Sequence, residues 1–408
     1  MDDDLPGMMR RPDIVSAAIG LAYVFAGASA LIFVKGTLHA PDEFEYLAIG
    51  KNLAASGLFS MDGSTPTAWR SPGLPALIAA LWWVWPSVYF LKIFNLGCWA
   101  ATGFFVARLS AKFYGVTAGR LAALVYLFYI YELYAATSLY PQTIAGLLVV
   151  ISIILVLESK PLIITRQLLL LAISTFQILL IPNSIVVAAV VYPYAILKER
   201  ISLRAALSSG ALILLVIFAW CHRNESAIGG FTFTTTMGNT LYAGNRDSVS
   251  AATAGSTAVQ GTNGLSELQA DKLYRKLAIE WIKNHTWQAI GLYFGKLAYW
   301  FSYENTYESK VNVPFIGAFS LGMAAIYYLV LAGSFGPLSS NNKSLREFAI
   351  LAWIIYVVSA VIYAVFITRI RYRLPFDPLF FALASGALVQ VWNVRWRRRN
   401  RAPAQRGD

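Results

Sequence analysis

Long uncharged stretches alternate with short polar segments along most of the chain. The stretches 14–34 and 167–197, for example, contain no charged residue and are as long as a membrane-spanning helix or longer. Roughly 20 apolar residues cross the hydrocarbon core as a helix, and a helix satisfies its own backbone hydrogen bonds in lipid. The pattern predicts an all-α polytopic membrane protein, and the length of the first apolar run predicts a retained anchor instead of a cleaved signal peptide.

The flanking charges arrange these stretches into about ten crossings, because Lys and Arg collect on the cytoplasmic side of a membrane. Arg10 and Arg11 precede the first span, and a run of arginines begins at Arg395 after the last, which places both ends of the chain in the cytoplasm. The stretch 167–197 is too long for one ordinary helix and is split into two spans at Pro182-Asn183. The other predicted spans are 14–35, 88–107, 120–138, 141–157, 205–221, 315–336, 346–368 and 374–394.

Three shorter stretches are predicted to lie on the outer face of the membrane without crossing it. Residues 43–55 follow the first span, and residues 287–302 precede the span 315–336. Residues 72–86 offer about 14 helical residues, or roughly 21 Å, against a hydrocarbon core of about 30 Å. This stretch is also rich in tryptophan, which favours the membrane interface.

A polar segment, residues 222–286, is placed on the same outer face. Within it, the residues from Ser266 to Gln269 match a capping box and predict the start of an amphipathic helix. The chain is therefore expected to comprise an N-terminal transmembrane module with its first outer loop at 38–87, an outer segment, C-terminal transmembrane helices and a basic cytoplasmic tail. The boundaries of these four parts are 1–221, 222–314, 315–394 and 395–408.

Composition agrees with a membrane protein and argues against other classes. The chain is 57% hydrophobic and only 13% charged, whereas about 25% of a soluble domain is charged. Its net charge of +12 is concentrated at the ends, which the positive-inside tendency explains without a nucleic-acid partner. Cys98 and Cys221 are too few for a disulfide framework. His39, His222 and His285 lack metal-ligand spacing, so no metal and no other cofactor is expected.

The first outer loop begins with "APDEFEYLAIGKNLAASG", in which Asp42, Glu43 and Glu45 crowd beside the first span. One interpretation is structural: Asp42 caps a helix over 43–55 and Glu45 occupies its third position. The other interpretation is catalytic, because a carboxylate at a rigid helix start is well placed to accept a proton. The two interpretations are compatible, and the residues alone leave both open.

Cations accumulate on the predicted outer face, against the usual charge bias. Ionisable residues at membrane depth are energetically expensive and are therefore functional candidates. Arginine's planar fork and lysine's point charge both suit phosphate oxygens. One such side chain could simply reach lipid headgroups, but the whole set favours a phosphate-binding site. Its candidate residues are Arg70, Lys92, Lys296, Arg371 and Arg373.

The order of these pieces resembles the C-type (GT-C) glycosyltransferases, polytopic enzymes that use polyprenyl-phosphate sugars. The resemblance is greatest to the protein O-mannosyltransferase and aminoarabinose-transferase branch, and it covers most of 38–200 and 222–390. It implies a GT-C-type fold with about ten transmembrane helices plus interfacial helices on the outer face. Four stretches carry it: "PDEFEYLAIGKNLAASG", "WRSPGLPALIAAL", "SLYPQTIAGLLVV" and "RYRLPFDPLFFALA".

The resemblance implies a role for each matched acid and cation. Asp42 would be the general base that takes a proton from the acceptor, and Glu43 would assist it. Lys92 would lie beside the donor phosphate, and Arg373 and Arg371 would hold that phosphate as well. Fixed cations would stabilise the charge that builds up on the leaving phosphate.

Candidate contacts of the sugar or acceptor are Tyr46, Gln142 and His39. Gln142 departs from the family pattern, because relatives often carry an acidic residue after this proline. Glutamine keeps the shape and the hydrogen bonds of an acid but not its charge. If the acid binds a metal or acceptor in relatives, this chain does so differently or not at all.

The expected function is inverting transfer of one sugar from a polyprenyl-phosphate donor to an envelope glycan, lipid or protein acceptor. The expected location is the bilayer of a bacterial cytoplasmic membrane, with the active site on the outer face. One alternative is a transporter or flippase of polyprenyl-linked sugars, which needs a polar path through the bilayer. Another is an enzyme like the O-antigen ligases, which uses a polyprenyl-diphosphate donor and for which more arginines are expected in a long outer loop.

Overall fold

The structure, a computed structural model, describes residues 13–157, 161–247, 249–252, 264–303 and 314–401. Arg10, Arg11, the side chains of the basic tail 395–408, residues 253–263 of the polar segment and residues 304–313 lie outside the described residues. Within the described ranges the chain forms seventeen α-helices and no β-strand. The prediction of an all-α protein is confirmed.

The first part of the chain, as far as the structure describes it, forms ten α-helices, and each predicted span or short stretch there overlaps at least one of them. The tenth helix continues to Ile228, so it extends past both the predicted end of its span and the expected boundary at residue 221. These helices are α1 (Ile14–Val34), α2 (Pro41–Ser56), α3 (Gly73–Val84), α4 (Val88–Tyr114), α5 (Val116–Phe128), α6 (Ile130–Thr137), α7 (Pro141–Val156), α8 (Ile164–Leu180), α9 (Ile185–Leu197) and α10 (Leu203–Ile228).

Seven helices follow in the second part. Two of them, α11 and α12, belong to the polar segment, and the short α16 precedes the last long helix. They are α11 (Met237–Ala243), α12 (Glu267–Asn284), α13 (Thr286–Trp300), α14 (Pro314–Gly333), α15 (Lys343–Val365), α16 (Ile370–Arg373) and α17 (Asp377–Arg401).

Two interruptions of the helical pattern have different origins. The predicted break at Pro182 is confirmed, because Ile181 is extended (φ −140°, ψ 106°), as the residue before a proline prefers. The predicted span 120–138 is not one helix, since α5 and α6 meet at Tyr129 with a bend of 60°. Tyr129 has non-helical angles (φ −79°, ψ 89°), and its buried hydroxyl donates to Asp377 Oδ2 at 3.2 Å. A contact distant in sequence therefore holds this bend.

Five of the described helical stretches are long and apolar enough to cross a membrane. They are α1, α4, α10, α15 and the stretch Gly322–Ser339, and α5 together with α6 would make a sixth. The other apolar stretches, in α3, α7, α8, α9 and α17, are shorter, at 10–17 residues. The protein is thus a multi-pass membrane protein, and the count of ten crossings stays a prediction.

The starts of α2 and α12 test two predicted caps. The capping box at Ser266 is confirmed, since its hydroxyl accepts the Gln269 N–H at 3.3 Å and Gln269 Oε1 accepts the Ser266 N–H at 2.9 Å. The prediction that Asp42 caps α2 is wrong. Pro41 already occupies the first turn, where its missing N–H costs nothing, so the cap position falls at Ala40. The Asp42 side chain is left to make other contacts.

Close packing between helices positions the elements around Asp42. In the core, α4 packs against α5, α7 and α17, and Trp99 on α4 is almost fully buried. At the edge of this core, α2 packs on α3 so closely that a Cβ at Gly50 would lie 2.4 Å from Ile78 Cγ2. The helix α2, the loop that follows it and α16 meet at the side chain of Asp42.

Candidate active site

The carboxylate of Asp42 lies between two guanidinium groups. Its Oδ1 accepts a hydrogen bond from Arg70 Nη2 at 2.6 Å, and its Oδ2 accepts one from Arg371 Nη1 at 2.8 Å. Asp42 is in the first turn of α2, where a helix dipole favours negative charge. Arg70 comes from the loop between α2 and α3, and Arg371 comes from α16. Three separate segments therefore converge on one carboxylate.

Glu45 holds Arg70 from a second side. Its Oε2 accepts hydrogen bonds from Arg70 Nε at 2.6 Å and from Trp69 Nε1 at 2.9 Å. Two acids thus face two arginines, and we call this set the Asp42 cluster (Asp42, Glu45, Arg70 and Arg371). Sequence reasoning gave Glu45 no site role, although residues three apart on a helix share a face, a signal that pointed to it.

Aromatic rings surround the two arginines. The Arg70 guanidinium lies 5.0 Å from the centre of the Tyr46 ring. The Arg371 guanidinium lies 5.4 Å from the Tyr140 ring and 5.2 Å from the Tyr372 ring. Stacking on rings suits a planar guanidinium and restricts its orientation. Tyr140 and Tyr372 were not predicted as site residues, because their own sequence context is that of ordinary aromatic residues.

The electrostatics of the cluster keep Asp42 and Arg371 ionised. Burial raises the pKa of Asp42, but the positive charges of Arg371 and Arg70 and their hydrogen bonds outweigh it, so this pKa lies below its ordinary value. Burial lowers the pKa of Arg371, but Tyr372, Asp42 and Tyr140 raise it well above its usual range. At neutral pH Asp42 is therefore a carboxylate between two cations.

The cluster is partly open to its surroundings. The exposed fractions of the side chains are 23% for Asp42, 18% for Arg70 and 29% for Arg371. Among the described residues, Nε of Arg371 has no hydrogen-bond partner. Both guanidiniums can therefore be reached by an oxyanion through their exposed parts, whereas the unpaired Arg371 Nε is itself buried.

Glu43 and Lys92 form a separate, fully buried network. The two oxygens of Glu43 accept the backbone N–H groups of His39 at 3.0 Å, Ala40 at 3.2 Å and Leu139 at 2.9 Å. Lys92 Nζ lies 3.9 Å from Glu43, and both side chains are 0% exposed. Glu43 thus fastens the start of α2 to the turn before α7, and a role at the donor phosphate would require Lys92 to leave this pair.

Arg373 is also buried away from the cluster. Its Nη1 donates to the carbonyls of Trp300 at 2.7 Å and Ser302 at 2.6 Å, and its Nε lies 3.5 Å from Asp377 Oδ2. The guanidinium lies 3.9 Å from the centre of the Tyr327 ring. The side chain is 1% exposed, so its expected contact with a donor phosphate would require these bonds to break.

Lys296 is surrounded by carbonyl oxygens. Its buried Nζ donates to Gly244 O at 3.0 Å, Asn245 Oδ1 at 3.1 Å and Phe366 O at 2.9 Å. Burial lowers its pKa to about 8. The prediction that the five cations form one set is therefore corrected: Arg70 and Arg371 contact Asp42, while Lys92, Arg373 and Lys296 are held in separate networks.

The three candidate sugar or acceptor contacts have different settings, and Tyr46 is the one with a contact to the cluster among the described residues. Tyr46 is buried against Arg70. Gln142 is 7% exposed at the start of α7, and its Oε1 has no hydrogen-bond partner within the described ranges. The exposed His39 ring lies 3.2 Å from the Thr37 hydroxyl. Gln142 thus has an unused acceptor, while Tyr46 is already engaged.

No group of three or more His, Cys, Asp and Glu side chains is placed to hold a metal ion in the part of the chain that the structure describes. Asp42 and Glu45 point at arginines, which compete with a cation for their oxygens. That the protein works without a tightly bound metal stays a prediction.

Comparison with known proteins identifies the fold. No protein-family model and no curated protein matches the sequence. Among solved structures, the chain is similar to ArnT from Cupriavidus metallidurans bound to undecaprenyl phosphate, with a TM-score of 0.59 and 13% identity, and to the same protein in the apo state, with a TM-score of 0.54 and 14% identity. Each match covers 94% of this chain and 62% of ArnT, so the chain spans less than two thirds of that protein. The chain is therefore a multi-pass membrane protein with a GT-C-type fold, which it shares with ArnT.

Proposed function

We propose that this protein is an inverting glycosyltransferase that moves a sugar from a polyprenyl-phosphate donor to an envelope glycan, lipid or protein. The observation that carries the proposal is the Asp42 carboxylate held between two partly exposed guanidiniums, Arg70 and Arg371. The shared fold supports the donor class, because the ArnT structure contains undecaprenyl phosphate.

Arg371 and Arg70 are the proposed donor-phosphate residues. Guanidinium groups bind phosphate oxygens through two parallel hydrogen bonds, and these two are the cations of the predicted set that remain partly exposed next to the acid. Arg373, Lys92 and Lys296 are buried in other networks and are assigned to holding the surrounding backbone. Gln142, with its unused Oε1, is the proposed hydrogen-bond acceptor for a sugar or acceptor hydroxyl.

In the reaction, Asp42 acts as general base. A lone pair of the acceptor oxygen or nitrogen attacks the anomeric carbon while its proton passes to the Asp42 carboxylate. The bond from the anomeric carbon to the phosphate oxygen breaks through an oxocarbenium-like transition state, and its electron pair leaves with the polyprenyl phosphate. Arg70 and Arg371 stabilise the negative charge gained by that phosphate. A single displacement of this kind inverts the anomeric centre.

The donor itself is proposed to free the base. Without donor, both oxygens of Asp42 accept hydrogen bonds from arginines, so the carboxylate is stabilised and is a weak base. A phosphate that binds Arg70 and Arg371 competes with Asp42 for the same N–H groups. Asp42 then turns toward the acceptor, which couples activation of the base to the presence of the donor.

We place this reaction at the outer face of a bacterial cytoplasmic membrane, with both ends of the chain in the cytoplasm. The lipid tail of the donor requires a site at the bilayer edge, and α2 with its following loop lies between the apolar helices α1 and α4 in the sequence. No nucleic acid takes part.

The test is transfer by purified protein in nanodiscs, with a panel of polyprenyl-phosphate sugars as donors. Asp42→Asn keeps the shape of the side chain but cannot accept the proton, so we expect a loss of at least about 100-fold in turnover. Glu225→Gln, an exposed acid on α10, is the control and should transfer like the wild type. Equal turnover by Asp42→Asn and Glu225→Gln with an active donor would refute the base assignment.

A further inference from the structure

Glu267 binds the two residues that lead into Trp69 and Arg70. As the first residue of α12, it accepts the Thr67 hydroxyl at 2.6 Å with Oε2 and the Ala68 N–H at 2.7 Å with Oε1. Thr67 and Ala68 are 3% and 0% exposed. The half-buried Glu267 carboxylate accepts two hydrogen bonds and so restrains the backbone directly before Arg70.

The carbonyls of the same two residues are also bound by the polar segment and the end of α10. Arg223 Nη1 donates to Thr67 O at 2.8 Å, and the Thr235 N–H donates to Ala68 O at 3.0 Å. Within the loop, the Thr67 N–H donates to Phe59 O at 3.0 Å, and the Thr67 hydroxyl, the Ala68 N–H and both carbonyls are contacted by residues more than 150 positions further along the chain. The position of Arg70 is therefore held from outside its own loop as well as from within it.

Lys296 makes an equivalent connection toward Arg371. Its Nζ joins Gly244 O and Asn245 Oδ1, directly after α11, to Phe366 O, directly after α15. The two backbones approach so closely that a Cβ at Gly244 would lie 1.8 Å from Phe366 O. Phe366 begins the short connection to α16, which carries Arg371.

The connection toward Arg70 through Glu267 and the connection toward Arg371 through Lys296 both involve helices α11 and α12, which pack against each other. Asp271 on α12 is 2% exposed, and its Oδ1 accepts the Gly238 N–H of α11 at 2.5 Å. A Cβ at Gly238 would lie 2.1 Å from the Asp271 carbonyl oxygen, so α11 and α12 are in direct backbone contact. Glu267 and the Lys296 partner Gly244 are thus fixed relative to each other.

We propose that the packed pair α11–α12 sets the spacing of the two arginines at the donor phosphate, with Glu267 positioning Arg70 and Lys296 positioning Arg371. This proposal rests on the proposed function, because the spacing of the two guanidiniums matters only if they bind the same phosphate. It makes Glu267 and Lys296 positioning residues that never touch the substrate. It also explains why a lysine lies buried in an otherwise apolar helix.

The test compares Glu267→Gln and Lys296→Met with the controls Glu280→Gln and Lys276→Met in the full-length protein in nanodiscs. Glu280 and Lys276 form an exposed ion pair on the same helix, with side chains 52% and 72% exposed. The first readout is hydrogen exchange of the backbone amides. We expect exchange at residues 67–70 to rise about tenfold in Glu267→Gln, and exchange at 366–371 to rise similarly in Lys296→Met, because a bond to a charged group is lost in each.

The second readout is the affinity for undecaprenyl phosphate, which should fall about tenfold in both variants and stay unchanged in both controls. Variants that match their controls in exchange and in phosphate affinity would overturn the proposal. So would variants that only lower the Tm while their folded fraction binds the phosphate like the wild type. If the wild type itself binds no undecaprenyl phosphate, the proposed function fails, whereas the exchange readout still tests the positioning.

Discussion

At the scale of single residues, charge alone did not decide which cations belong to the site. Arg70 and Arg371 reach Asp42, while Lys296 and Arg373 are bound by backbone carbonyls. The sequence shows that each of these four cations costs free energy at membrane depth. It does not show whether a carboxylate or a backbone carbonyl interacts with the positive charge. That distinction depends on contacts such as Arg373 with Trp300, 73 residues apart.

The pH dependence of transfer tests the electrostatics of Asp42. Arg371 lowers the pKa of Asp42 against the opposite effect of burial, and a base is active above its pKa. The acid limb of kcat/KM, which reports the free enzyme, should therefore move to higher pH in Arg371→Met. We also expect kcat/KM to fall about tenfold or more, because a charged partner of the donor phosphate is lost.

Arg346→Met, which removes an exposed arginine near the start of α15, is the control for Arg371→Met. Its pH profile should match that of the wild type. An acid limb at the same pH in Arg371→Met would contradict the ion pair between Arg371 and Asp42.

At the scale of elements, the sequence predicted features that depend on neighbouring residues. It did not predict features that depend on contacts between residues far apart in the chain. The break at Pro182 and the capping box at Ser266 follow from residues within a few positions of each other. The bend at Tyr129 depends on Asp377, 248 residues away, and the start of α2 depends on Pro41 and on the Glu43 contact with Leu139. The structural interpretation of Asp42 as the cap rested on the local preference of aspartate for that position, and Pro41 moves the cap position to Ala40.

The buried pair of Glu43 and Lys92 should matter for stability more than for chemistry. Glu43→Ala removes three backbone contacts and leaves the buried Lys92 charge with the Thr37 carbonyl but without an opposite charge, which costs about 3 kcal/mol. The measurement is thermal unfolding in detergent. The double variant Glu43→Ala with Lys92→Met should be more stable than Glu43→Ala alone, because it also removes the unpaired charge.

The turnover of the folded fraction distinguishes a stabilising role of Glu43 and Lys92 from a catalytic one. We expect Glu43→Ala with Lys92→Met to retain a turnover far above that of Asp42→Asn. A double variant as inactive as Asp42→Asn but fully folded would give Glu43 or Lys92 a direct part in the reaction.

At the scale of the whole molecule, the order of short motifs was more informative than helix length. The four quoted stretches suggested a GT-C-type fold, and the likeness to ArnT over 94% of the chain agrees with it. Within the described ranges, helix length gives five or six candidate spans, against about ten predicted from flanking charge. Helices such as α7 and α8 have 16 and 17 residues, so their depth depends on neighbouring helices that a single sequence does not reveal.

The central claim is that the donor phosphate displaces the Asp42 carboxylate from Arg70 and Arg371. A structure of the wild-type protein in nanodiscs with undecaprenyl phosphate tests this claim most directly. The account predicts phosphate oxygens within hydrogen-bond distance of both guanidiniums, and an Asp42 carboxylate released from at least one of them. A phosphate bound elsewhere, with both ion pairs of Asp42 intact, would contradict the account.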